Sequence, residues 1–133
     1  MTRIFATDSL IIVKVLIVDD DENLGAIFET ALQKSGLETV FALTGKSGID
    51  KARSEKPDLV LLDQVLPDIS GNDVLKTLKM DSQTQNIPII ILSNFSQEDL
   101  VKEAINNGAM DYIFKYQVEP QDLVNKVKQA LKI

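Results

Sequence analysis

Four apolar runs in this chain each end on a side chain that phosphoryl chemistry could use. Val15-Leu16-Ile17-Val18 leads into Asp19-Asp20, Leu59-Val60-Leu61-Leu62 into Asp63, Ile89-Ile90-Ile91-Leu92 into Ser93, and Tyr112-Ile113-Phe114 into Lys115. If these runs are strands of one parallel sheet, their C-termini share the edge at which open α/β folds bind ligands. Carboxylates, a hydroxyl and an ammonium then converge. Two like charges about 4 Å apart repel by roughly 4 kcal/mol at an effective dielectric near 20, so the acids need a counter-ion. Oxygen-only donors suit Mg²⁺ or a similar hard ion, which keeps positions for water and a phosphate.

The elements that would position these groups follow from periodicity. Short β-branched runs alternate with amphipathic segments, the pattern of βα units around a parallel sheet buried on both faces. Five units fit. The first strand covers Val13–Val18, and its helix carries Leu24, Ile27, Phe28, Ala31 and Leu32 on one stripe before Gly36 stops it. Glu38–Ala42 is the second strand; Thr44 caps a helix bearing Ile49 and Ala52 that must end before Pro57. Asp58–Leu62 is the third strand, followed by a helix from about Gly71 that buries Val74, Leu75 and Leu78. After polar Asp81–Asn86 comes the strand Ile89–Leu92, then a helix capped by Ser96 with the stripe Leu100, Val101, Ala104 and Ile105, stopped by Gly108. Asp111–Phe114 is the fifth strand. Pro120 opens a last helix that buries Leu123, Val124, Val127 and Leu131, close to the end of the chain, and no second module is expected.

At 133 residues the chain is the size of one domain with a core of its own. Cysteine and histidine are both absent, which excludes disulfides, thiol nucleophiles, zinc sites and imidazole bases together. Covalent chemistry is left to Asp, Glu, Ser, Thr, Tyr or Lys. A net charge of −6 argues against unaided nucleic-acid binding, whose affinity comes largely from neutralised phosphates. Leu10–Val18 is interrupted by Lys14 and too short to span a bilayer, so a cytoplasmic protein without membrane insertion is expected. Residues 1–12 read as an N-terminal extension without an assignable role, and residues 13–133 as the domain.

Over Val13 to Ile133 the ordered motifs resemble those of the receiver domain of two-component response regulators. They are Val18-Asp19-Asp20, Leu62-Asp63 with Leu66-Pro67-Asp68-Ile69-Ser70-Gly71, Leu92-Ser93, and Lys115. With no appended effector, the chain looks like the stand-alone, chemotaxis-type members. The resemblance implies a flavodoxin-like (βα)5 doubly wound parallel sheet with strand order 2-1-3-4-5. It also implies a phosphorylation-dependent signalling switch, which catalyses only its own phosphotransfer and dephosphorylation. Asp63 would take a phosphoryl group from a sensor histidine kinase, a phosphotransfer protein or a small phosphodonor. Asp20 would bind Mg²⁺ directly and Asp19 mostly through water, with Asp63 and the Val65 carbonyl completing the protein ligands. Ser93 and Lys115 would contact phosphoryl oxygens. The new Ser93 bond would draw its loop inward, let Tyr112 turn toward the core, and remodel the face made by the helix after Ser96, the strand of Tyr112 and the helix after Pro120 for a downstream protein.

Two positions depart from the family pattern, and a third is free to vary. Tyr116 follows Lys115 where proline is usual; a cis bond before tyrosine costs about 3 kcal/mol, so the loop to Glu119 should run trans on its own path. Asn94 replaces a small residue after the hydroxyl, where its amide could narrow the approach to Asp63. Val65 offers only its carbonyl to a metal, leaving its side chain to affect dephosphorylation.

Other readings of the same residues exist. Asp19 to Glu22 could be acids favoured at a helix N-terminus, Asp63 and Ser93 loop formers, Lys115 a solvated charge, and Tyr112 plain core. Asp19-x-Asp21 after an apolar strand is similar to haloacid-dehalogenase-type phosphatases, although Asn23 is atypical there and Asp63 would have no purpose. A receiver-like adaptor that is never phosphorylated is the remaining alternative.

Overall fold

The computed structural model describes residues 12–94 and 98–133. Five strands and five helices alternate: β1 (Lys14–Val18), α1 (Glu22–Lys34), β2 (Glu38–Ala42), α2 (Gly45–Glu55), β3 (Leu59–Asp63), α3 (Gly71–Met80), β4 (Ile89–Ser93), α4 (Glu98–Asn106), β5 (Asp111–Phe114) and α5 (Pro120–Leu131). The sheet is parallel throughout and ordered β2-β1-β3-β4-β5, the doubly wound order expected. The order reverses between β1 and β3, where such sheets leave a crevice at the strand C-termini.

Alternation within the strands builds two cores. Val15, Ile17, Leu59, Leu61, Ile90, Leu92 and Ile113 face one side, where Phe28 and Leu32 of α1 and Leu123, Val124 and Val127 of α5 cover them. Leu16, Val18, Val60, Leu62, Ile89 and Ile91 face the other, under Ala52 of α2, Val74, Leu75 and Leu78 of α3 and Ala104 of α4. The central strands are buried on both faces, which is why they read as unbroken apolar runs rather than as alternating ones.

Local chemistry fixes the helix ends. Asp21 caps α1 by accepting from Leu24 N at 3.1 Å, Thr44 and Ser47 form a reciprocal capping box on α2, and Ser70 Oγ accepts from Asp73 N at 3.0 Å to start α3. Pro120 stands at the start of α5, as expected. Gly36 (φ 87°) and Gly108 (φ 104°) end α1 and α4 in the left-handed region that glycine enters without penalty.

Three expectations fail on burial. Ile27, Leu100 and Ile105 are 51%, 39% and 42% exposed, although each sits on an apolar stripe. On α4 Val101 and Ala104 are the buried residues and the neighbouring positions turn outward; on α1, Phe28 and Leu32 fill the core side and leave Ile27 at the rim. The assigned cap Ser96 lies outside the described residues, as does nearly all of the 1–12 extension.

Candidate functional site

The strand ends deliver the acids to one edge. Asp19 directly follows β1 and keeps a sheet bond, its N–H donating to Ala42 O at 3.0 Å, and its carboxylate is fully buried. Asp63 is the last residue of β3 and pairs in register with Leu92. Asp20 lies exposed beside them. Carboxylate oxygens of Asp19, Asp20 and Asp63 all lie within 4.8 Å of one another, a hard, oxygen-only donor set that fits a divalent cation of the Mg²⁺ type. Val65 borders this cluster: its N–H reaches Asp63 Oδ1 at 3.4 Å and its side chain is exposed.

Lys115 is the counter-charge among the described residues. Its backbone N–H donates to Ser93 O at 2.9 Å, tying the end of β5 to β4. Its ammonium, 6% exposed, donates to Asp63 Oδ2 at 2.9 Å and to Asp19 Oδ1 and Oδ2 at 3.2 and 3.3 Å. Burial works to lower the Lys115 pKa, but the hydrogen bond and charge of Asp63, then those of Asp19, outweigh it and raise it above the ordinary value. Asp19 moves the opposite way in charge preference: burial first, and the Asp63 charge after it, raise its carboxyl from 3.8 to about 6, against the Asp21 N–H and Lys115. Two carboxylates around one cation remain short of positive charge.

Tyr116 does not displace Lys115. No cis peptide occurs among the described residues, so the bond before Tyr116 is trans; the ammonium lies 5.2 Å from the Tyr116 ring centroid, and the Tyr116 hydroxyl reaches Asp21 Oδ2 at 3.3 Å. The Asp21 carboxylate thus accepts from both Leu24 N and the Tyr116 hydroxyl.

Ser93 is fully buried at the end of β4, and its hydroxyl has two acceptors at 3.0 Å, Gln64 Oε1 and Asn94 O. Level with it on β5 is Phe114; Tyr112 pairs with Ile91, two residues back. Tyr112 is 38% exposed, its ring edge-on to Phe114 at 5.3 Å between centroids, with Lys126 Nζ at 5.8 Å. In this state the ring is not core.

Gln64 and Asn72 were not singled out by the sequence, and Asp68 entered only as part of a motif, without a role of its own. Gln64 and Asn72 are each only 3% exposed and hydrogen-bond to each other. Asp68 accepts from Gly45 N and Lys46 N at 2.8 and 2.9 Å, which ties the loop after Asp63 to the N-terminus of α2. For Gln64 the available signal was a polar residue placed directly after an apolar strand, which is as common in loops as in sites.

Comparison with known proteins identifies the relatives of this fold. Residues 15–128 match the response regulator receiver domain. The chain is 34% identical over 119 residues to the DNA-binding response regulator MtrA of Mycolicibacterium paratuberculosis, covering 90% of this chain and 51% of that one. It is 36% identical over 118 residues to the phosphate regulon transcriptional regulatory protein PhoB of Pseudomonas aeruginosa, covering 89% and 51%. It thus spans about half the length of these curated relatives. A CheY-like response regulator receiver domain protein from Methanospirillum hungatei JF-1 superposes with a TM-score of 0.84 at 30% identity, over 91% of this chain and 94% of that one. With a match running through all five strands and the sheet order to go with it, the chain belongs to the response regulator receiver domain family.

Proposed function

We propose that this receiver domain is a signalling switch in which Asp63 accepts a phosphoryl group, with Mg²⁺, from the phosphohistidine of a sensor histidine kinase or a phosphotransfer protein. The observation that carries this reading is the buried Lys115 ammonium, 2.9 Å from Asp63 Oδ2 and shared with Asp19. Ionised Asp63 needs no general base. One of its oxygens attacks phosphorus in line with the departing imidazole nitrogen; the P–N bond breaks as the O–P bond forms, and the imidazole keeps the electron pair and takes a proton from solvent. Lys115 is placed to follow one phosphoryl oxygen and the Ser93 hydroxyl to reach another, stabilisation that makes up most of what a protein contributes to this transfer. Asp19, Asp20, Asp63 and the Val65 carbonyl would hold the cation, which supplies positive charge to the carboxylates and the phosphoryl oxygens.

The output is a population shift, bounded by how differently the phosphoryl group contacts the two states. Ser93 moving toward Asp63 makes room for the half-exposed Tyr112 ring, and the α4-β5-α5 face changes shape for a downstream protein. A charge of −6 disfavours nucleic acid as the direct partner of this domain, which acts in the cytoplasm. Borohydride trapping tests the acceptor: reduction of an acyl phosphate at Asp63 yields homoserine there after incubation with acetyl phosphate and Mg²⁺. Homoserine at any other aspartate overturns the assignment. Amide NMR with beryllofluoride, a phosphoryl mimic, tests the output. Shifts at Ala104, Tyr112 and Leu123 support the face; shifts confined to the surroundings of Asp63 refute it.

A further inference from the structure

We propose that Gln64 is a positioning residue, a latch that holds the Ser93 hydroxyl in its resting place and connects that place to α4. Both ends of its buried amide are engaged: Oε1 accepts from Ser93 Oγ at 3.0 Å, and Nε2 donates to Asn72 Oδ1 at 3.4 Å. Asn72, equally buried, carries the line onward, with Nδ2 donating to Leu100 O at 3.2 Å and to the Glu103 carboxylate. Ser93, Gln64 and Asn72 thereby join the acid site to the first turns of α4 through the start of α3.

The backbone of Gln64 is the fixed part of this line. Its N–H donates to Leu92 O at 3.3 Å and its carbonyl accepts from Gly71 N at 2.9 Å. Gly71 packs so close that a Cβ there would lie 2.7 Å from Gln64 Cα. Ser93, by contrast, has a second acceptor in Asn94 O. When the hydroxyl swings to a phosphoryl oxygen on Asp63, Gln64 Oε1 loses a donor inside the protein, a costly state unless Gln64, Asn72 or α4 rearranges. The latch thus opposes release of Ser93 and makes α4 respond to it. This inference rests on the reading that a phosphoryl group on Asp63 draws Ser93 inward.

The test replaces Gln64 by leucine, which has similar bulk and no acceptor, in the full chain, and follows the amides of Leu100, Glu103 and Ala104. In the wild type, beryllofluoride with Mg²⁺ defines a line of chemical shift from the resting to the switched position. Without beryllofluoride, Gln64→Leu is expected to lie partway along that line, for a roughly fivefold rise in the ratio of released to latched protein, the effect of one neutral hydrogen bond at room temperature. Gln64→Met, unbranched and of similar length, gives the same reading if the leucine variant fails to fold. If both variants stay at the resting position while beryllofluoride moves them as it moves the wild type, the latch is overturned and the proposed function stands. Shifts that scatter off the line indicate a packing role alone and also overturn it. If beryllofluoride moves no protein, the wild type included, the phosphoryl reading falls and the latch with it.

Discussion

Replacing Lys115 by methionine should destabilise the domain in chelator by about 3 kcal/mol, a value that follows from the geometry around its ammonium. The group sits 2.9 Å from Asp63 and 3.2 Å from Asp19, with all three side chains nearly inaccessible. At an effective dielectric near 20, one such contact amounts to roughly 5 kcal/mol of attraction before desolvation is subtracted. Methionine has no ammonium to desolvate, but it leaves two buried carboxylates facing each other, and breaking a buried pair from one side costs about 3–5 kcal/mol. The lower end applies because Asp20 and the adjoining edge are open to water. For a domain of this size the loss corresponds to roughly 10 °C in melting temperature. Urea unfolding in excess chelator measures it, and the same substitution in an Asp19→Asn background should cost at least about 1 kcal/mol less, because the repulsion has gone. A loss below about 1 kcal/mol, or an equal loss in both backgrounds, would refute the view that Lys115 balances two ionised acids.

Three further outcomes follow from the same contacts. Mg²⁺ at about ten times its dissociation constant should add roughly 1.4 kcal/mol of stability; Asp20→Asn should abolish that gain while raising the melting temperature without metal, and an undiminished response in that variant contradicts the ligand assignment. Gly71→Ala should cost more than about 2 kcal/mol by urea unfolding, since its Cβ would run into the Asp63 carbonyl oxygen, backbone that cannot turn aside; a near-neutral variant would contradict this close approach. Asp68 has its pKa lowered from 3.8 by the N–H groups of Lys46 and then Gly45. Its contribution is therefore present above pH 3.8 and lost as pH falls through the lower folded value. NMR should show the Gly45 and Lys46 amides titrating together below pH 3.8, and Asp68→Asn should remove that step.

What the sequence disclosed depends on how each residue is buried. Leu59–Leu62 and Ile89–Leu92 are covered on both faces, and a run of that kind has few other uses, so the strands and the residues that follow them were legible. Thr44, Gly36, Gly108 and Pro120 were legible because caps and stops need specific local chemistry. Ile27, Leu100 and Ile105 were misjudged because an apolar stripe looks the same whether or not another element covers it. The resting partner of Ser93 was not legible at all: Gln64 lies 29 positions away in the chain, and only the pairing of β3 with β4 brings the two together. The departure at Tyr116 leaves Lys115 in place, since β5 and the Ser93 carbonyl fix the lysine before the loop begins.

Intact-mass spectrometry after incubation with acetyl phosphate and Mg²⁺, wild type beside Asp63→Asn, bears on the role of Asp63 with least interpretation. The wild type should gain the mass of one phosphoryl group, only with a divalent cation present, and Asp63→Asn should gain none. A gain that persists in Asp63→Asn, or that forms equally well in excess chelator, would contradict the phosphoryl switch described here.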